Sequence, residues 1–272
     1  MREFARLVRY DTLTGLSGWR WAAVPVVFVL AGWNEISWLQ ANVRAPLNLW
    51  DGPLSMLLNG TVVIWVLALG FMLLVGDRYS QDRSRGTVAL TLIRTRSRTS
   101  WWLARVTSIG ILALAFSALG LSAALVVSAV RLPLELDPSA AAQGAWQARE
   151  APYPRFEGLP MPAFFGFVVL YTAVALWPLG ALVVTASVLS PQLYIPLGAA
   201  VLWTLVEAVA LPGLILRDSD SADPFYHLLY AAHFTTPGGR EGASWVWSAC
   251  VISTALACAG AIGALKLRRS DM

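Results

Sequence analysis

Few side chains in this sequence are equipped to make or break bonds, and their spacing narrows what they can do. The two histidines, His227 and His233, stand six apart, off one helical face, with no obvious third ligand beside them. A metal site is not expected there. The two cysteines, Cys250 and Cys258, lie eight apart in one apolar run. On a helix that is about 12 Å of rise, too far for a disulfide, so they are read as small buried side chains. The single lysine, Lys266, follows Leu265, whereas a Walker A loop needs lysine after glycine to reach the phosphates. The chain thus carries no P-loop, and ATP hydrolysis, if it drives this protein, belongs to another subunit. Membrane proteases need histidine and glutamate, or a serine–histidine pair, inside their spans. Both histidines here fall outside the apolar runs, so no catalytic residue is assigned.

Two features remain. Glu207 is the only acid well inside an apolar run, shortly before Pro212-Gly213. A carboxylate in hydrocarbon is costly and faces a cavity or a partner, which makes Glu207 a candidate for a translocation path or for a structural hydrogen bond. The other feature is Asp77 to Arg105, DRYSQDRSRGTVALTLIRTRSRTSWWLAR, with seven arginines (78, 83, 85, 94, 96, 98 and 105) against Asp77 and Asp82. Such a segment grips, either anionic headgroups or another protein.

The elements that must position these residues are membrane spans. The chain has 272 residues, 57% hydrophobic and only 13% charged, against roughly 25% charged in globular proteins. Six runs are long enough to cross ~30 Å of hydrocarbon as helix, at about 20–39, 56–76, 101–130, 162–188, 193–216 and 244–266. The first is interrupted by Pro25, and the third is long enough to tilt or to extend beyond the bilayer. With six spans both termini share a side. That side collects 14 basic residues against five acids, and the opposite side six arginines against ten acids. Arginine-rich short loops stay cytoplasmic, so the 77–105 loop and both termini are expected in the cytoplasm of a multi-pass cell-membrane protein. The net charge of +4 flanks spans and lines no soluble aromatic face, which argues against nucleic acid. Trp19, Trp21, Trp101 and Trp102 are expected at inner span ends, Trp33, Trp38, Trp245 and Trp247 at outer ones. Small residues about one helical turn apart (Ala113, Ser117; Gly120, Ala124; Ala257, Ala261, Ala264) allow close helix contact. Arg2 to Leu16 should lie along the inner interface as an amphipathic helix. No repeat or second domain is found, and residues 1–272 are read as one all-α transmembrane domain.

From Asp82 the loop runs D-R-S-R-G-T-V-A-L-T-L-I-R-T-R-S-R-T-S-W-W-L-A-R. This resembles the cytoplasmic loop of ABC-2-type permeases, the membrane subunits of many ABC exporters, whose pattern is approximately E-x-E-x-G-T-L-x-x-L-L-x-x-P-x-S-R and then an apolar stretch ending G-K. Asp82 stands at the first acid, Gly86 and Thr87 at the G-T, Leu90 at the following apolar position, Ser97 and Arg98 at the S-R, and Arg105 at the closing lysine. Ser84, Thr95 and Ala104 depart from the second acid, the proline and the glycine. The resemblance implies six spans, an N-terminal elbow helix, and a coupling helix between spans 2 and 3. It further implies a dimer of identical or different permeases, driven by nucleotide-binding ATPase subunits that hold ATP and magnesium. The residues it assigns to coupling are Asp82, Arg83, Arg85, Gly86, Thr87, Leu90, Arg94, Ser97 and Arg98. On the residues alone, Gly86 ends a helix, Thr87 caps the next, and Val88, Leu90, Leu92 and Ile93 form an apolar strip for a partner's groove. A permease-like fold can also serve a non-transporting immunity or assembly protein, which is the alternative reading.

Overall fold

A computed structural model describes residues 2–84, 86–95, 97–143, 153–190, 192, 194–214, 222–234 and 242–269, with the side chains of 89, 90, 93, 94, 194 and 210–214 left out. Among these residues all regular structure is helical and there is no strand. Helix α1 spans Arg2–Leu16; α2 spans Ala23–Asn42 behind a 3-10 turn at Trp19–Ala22. Pro25 falls in the first turn of α2, where a backbone N–H has no intrahelical partner to lose. A short α3 (Asp51–Met56) leads into a π-helical stretch, Val62–Leu69, which runs on through α4 (Gly70–Gly76) and α5 (Arg78–Ser84). Then come α6 (Thr87–Arg94), α7 (Arg98–Arg131), α8 (Ala140–Gln143), α9 (Met161–Leu189), α10 (Tyr194–Leu214) and α11 (Trp245–Arg269).

Among the described residues, five helical stretches are long and apolar enough to cross a membrane: Trp19–Asn42, Val62–Ser84, Arg98–Arg131, Met161–Leu189 and Trp245–Arg269. This is a multi-pass membrane protein. The run expected at 193–216 folds as α10, a helix of 21 residues, of which the stretch with described side chains, Ile195–Val209, is apolar.

Helix α7 is the axis of the bundle, with α1, α2, α9 and α11 packed on it. Its 34 residues rise about 51 Å at 1.5 Å each, well beyond the hydrocarbon thickness. One end therefore projects past the apolar core, and that end carries the charged residues Arg98 and Arg105. The core is held by a chain of rings: Phe28 lies 5.5 Å from Phe116, and Phe116 lies 5.4 Å from Phe71. Small residues admit these contacts inside the chain, Gly32 facing Ala124 and Gly120 facing the Phe28 ring.

Three expectations about side chains are corrected. Trp102 is fully buried and donates to the carbonyl of Ala259 at 3.3 Å, with Trp101 buried beside it, because α11 closes over this end of α7. Ala257 and Ala261 face outward, and the seam of α11 is instead Ala259, Gly260 and Gly263. Cys250 and Cys258 are exposed on the outer face of the same helix. In hydrocarbon a small apolar side chain gains little by being inside, so exposure there carries no penalty.

The α7–α11 seam gives a paired prediction. A Cβ on Gly263 would run into the Trp102 indole, whereas one on Gly260 would meet only Leu103 at 3.7 Å. Gly263→Ala should lower stability by about 1–3 kcal/mol through overpacking. Gly260→Ala should be neutral or up to ~1 kcal/mol stabilising, since alanine loses less entropy on entering a helix. Thermal unfolding in detergent reads both; equal effects would mean that the indole does not hold this seam.

Candidate functional site

The 77–105 segment is built around a buried knot of charges. Asp11 reaches it from α1, Asp77 and Arg78 from the α4–α5 junction, Asp82 from α5, and Arg105 from α7. The Arg105 side chain is only 4% exposed. It donates from Nη2 to Asp82 Oδ2 at 2.7 Å, and its Nη1 stands 3.6 Å from Asp11 Oδ1. The guanidinium is further enclosed by the Trp101 and Tyr79 rings, with centroids at 5.5 and 6.0 Å. Arg78 donates to the Asp11 carbonyl at 2.7 Å and lies 3.5 Å from its carboxylate, and the Ser108 hydroxyl also donates to that carboxylate. Asp77 accepts from Arg20, in the turn ahead of α2, and from Gln81 at 2.7 Å. Three arginines thus meet three aspartates. A buried charge is tolerated when it is paired and hydrogen-bonded in this way. The knot ties α1 and the near ends of three spans to one another at what is here termed the loop end of the bundle.

The loop itself is set by local backbone chemistry. Gly86 has φ 70° and ψ 2°, a left-handed conformation that side chains with a Cβ resist. Its N–H donates to Arg83 O at 3.0 Å, closing α5. The Thr87 hydroxyl does not cap α6 as expected; it donates back to Asp82 O at 2.8 Å and finishes the preceding helix. α6 ends at Thr95, extended with φ −98° and ψ 139°. Ser97 caps α7, accepting from Ser100 N–H at 3.3 Å.

Two residues of the apolar strip of α6 are turned inward, and the side chains of Leu90 and Ile93 lie outside the described ones. Val88 is buried and Leu92 packs on the core, because a short amphipathic helix on a bundle buries its apolar face first. Thr91 and Thr95 line a groove of about 330 Å³ shared with Arg6, Leu7 and Tyr10 of α1. Arg83 is exposed. Arg98 donates from Nη1 to the carbonyl of Leu267 at 3.0 Å, and Arg268 of the tail donates to the Thr99 hydroxyl at 3.0 Å. An arginine on the last carbonyls of a helix both caps it and complements its dipole, so the loop is fastened to the chain's tail. Arg85 lies outside the described residues, as do the side chains of Leu90 and Arg94. Of the predicted coupling residues, the structure brings Asp82, Gly86 and Thr87 to one corner and places Ser97 and Arg98 at the start of α7.

At the far end of the bundle, Glu207 is 7% exposed and accepts from Trp203 Nε1 at 3.1 Å, with Asp223 beside it. Trp203 in turn packs on Phe225, centroids 5.0 Å apart. The carboxylate therefore holds the indole that packs the 222–234 segment on α10. The same segment carries the histidines. His227 Nδ1 is 2.5 Å from Ser248 Oγ, and His233 Nε2 is 3.2 Å from that hydroxyl and 2.8 Å from Tyr171 OH. His233 Nδ1 faces the Ala243 carbonyl at 2.8 Å; a carbonyl only accepts, so that nitrogen bears the proton. Burial pushes the His233 pKa down, opposed by the Ala243 carbonyl. His227 is 0% and Ser248 3% exposed, so this serine–histidine contact is buried. It is a lock between the far-end segment, α9 and α11.

A family described as a protein of unknown function (DUF2705) matches residues 24–139, less than half of the chain. That stretch covers α2 to the end of α7 and contains the whole 77–105 segment. No curated protein matches the chain.

Proposed function

We propose that this chain is the membrane subunit of an ATP-driven ABC exporter of the ABC-2 type. In this reading α10 is a sixth span, α1 is the elbow helix, α6 is the coupling helix, and both termini are cytoplasmic. Two such chains, identical or not, form the translocation path, and separate ATPase subunits supply ATP hydrolysis. The observation that carries the reading is the Asp82–Arg105 pair. These are the two ends of the loop pattern that resembles the permease family, and their contact makes α5, α6 and the start of α7 a closed lever. Because the same arginine also faces Asp11, a push on α6 is passed to α1 and to the near ends of the spans. Glu207 fits a role in this path only through the segment it holds, and its replacement by glutamine tests that role in a transport assay.

The experiment is co-expression with the ATP-binding protein encoded nearest to this chain. The two are expected to purify together, with ATP hydrolysis stimulated by the membrane subunit. Gly86→Val forces a β-branched residue into a left-handed conformation, at about 1–2 kcal/mol for the handedness alone. It should therefore re-aim α6 and reduce the stimulated ATPase at least tenfold, while the bundle still unfolds within a few degrees of wild type. Failure to capture any ATP-binding subunit, or full stimulation with Gly86→Val, would remove the assignment.

A further inference from the structure

The lipid-facing side of the bundle has an opening that the lever does not use. α2 leans on α7 and barely touches the Val62–Ser84 helix, so a cleft of about 400 Å³ lies between them, closed on its third side by Leu197 of α10. Its walls are Val27, Phe28, Val66, Leu73 and Phe116, almost wholly apolar, and Val27 and Leu73 are exposed. Val66 belongs to the π-helical stretch, a conformation that is rare and concentrates at functional positions. The cleft does not end blindly. Arg20, Leu74 and Asp77 also line a second recess of about 600 Å³ at the loop end, whose remaining wall includes Ser17, Arg78, Gln81 and Asp82. An apolar slot thus opens into a polar chamber, the shape of an amphiphile with its head at the interface.

We propose that this double recess binds one phospholipid of the leaflet adjoining the loop, with an acyl chain in the cleft and a zwitterionic phosphoethanolamine headgroup in the chamber. Arg20 receives the phosphate. Its side chain is 43% exposed and gives Nη1 to Asp77; among the described residues, Nε and Nη2 have no protein acceptor. Guanidinium and phosphate pair strongly through two parallel hydrogen bonds. The chamber wall carries Arg20 and Arg78 together with Asp77 and Asp82. An anionic headgroup would bring a charge that this balanced wall cannot neutralise. Phosphoethanolamine brings its own ammonium, which can donate to the carboxylates, and the trimethylated headgroup of phosphatidylcholine cannot donate at all. Trp19, 81% exposed beside the chamber, marks the depth of the interface at which such a headgroup sits.

The site needs no motor subunit, so the isolated chain tests it. Delipidated protein is titrated with dioleoyl phosphatidylethanolamine, phosphatidylglycerol or phosphatidylcholine, and retained lipid is counted by native mass spectrometry. One phosphatidylethanolamine should be held about tenfold more tightly than either competitor. Arg20→Gln removes the phosphate partner. Gly70→Leu fills the cleft at a position where a Cβ meets nothing nearer than Phe116 at 3.8 Å. Each should weaken binding about tenfold; Gly70→Leu should do so with little change in the unfolding midpoint, whereas Arg20→Gln also strands the buried Asp77 and lowers the midpoint. Because the two substitutions reach the site from opposite ends, misfolding of one leaves the other decisive. Equal retention of all three lipids, or undiminished binding in the folded variant, overturns the proposal. So does cross-linking of Val27→Cys to a second copy in membranes, since a protein would then cover the cleft.

Discussion

Replacing Arg105 with methionine is expected to destabilise the folded chain by about 3–5 kcal/mol, the range for removing one partner of a buried ion pair. The physical reason is what stays behind. Asp82 would lose its 2.7 Å partner and Asp11 one of its two cations, and both carboxylates would remain in a corner walled by Trp101 and Tyr79. Adding Asp82→Asn to Arg105→Met should recover part of the loss, since it removes one of the stranded charges. Contacting residues show such non-additivity and distant ones do not. Arg105→Lys should fall between, because a compact ammonium cannot fork to two carboxylates. Arg83→Met, at an exposed position of the same loop, serves as the control and should change stability by no more than ~0.5 kcal/mol. Unfolding midpoints in detergent decide the matter. If Arg105→Met melts with wild type, the knot is ornamental and no force can be relayed through it.

The knot also explains which parts of this molecule are open to a reader of the sequence. The spans are, because an apolar run of some 20 residues has few other fates; among the described residues five of the six expected runs are long apolar helices, four of them close to the expected limits and the second, expected at 56–76, displaced to Val62–Ser84. The special residue Gly86 is legible too, since its conformation is a local property. What decides the site is not local. Asp11 and Arg105 are far apart in sequence, and nothing about an aspartate on a basic helix reveals that a bundle will fold over it. Trp102 shows a different limit. An indole next to a basic loop fits an interfacial belt and a core equally well, and only the approach of Gly263 decides for the core. The far-end lock of His227, His233 and Ser248 is hidden for the same reason, since the histidines meet on a hydroxyl that lies in another helix.

The far end should respond to pH through Asp51. This carboxyl is 0% exposed; burial raises its pKa from 3.8 to about 6, against the opposing pull of hydrogen bonds from Asn48 N–H and the Ser139 hydroxyl. Asn48 N–H donates at 2.6 Å and the Ser139 hydroxyl at 2.9 Å, and together they join the α2–α3 connection to the segment before α8. The folded chain binds this proton more tightly than the unfolded chain. The contribution is therefore fully present below about pH 4 and is lost as pH rises through about 6, a swing of about 3 kcal/mol at 1.36 kcal/mol per pKa unit. Asp51→Asn should remove the swing. Its Oδ1 can accept from Asn48, and its Nδ2 can donate to Ser139 Oγ, reproducing the protonated acid. Other carboxylates also titrate across this range, so the quantity to measure is the stability difference between wild type and Asp51→Asn, by unfolding in detergent from pH 4 to 7. Wild type should lose ground to the variant by up to about 3 kcal/mol across that interval. A flat difference would mean that water reaches Asp51 and that the far-end segments are not closed over it.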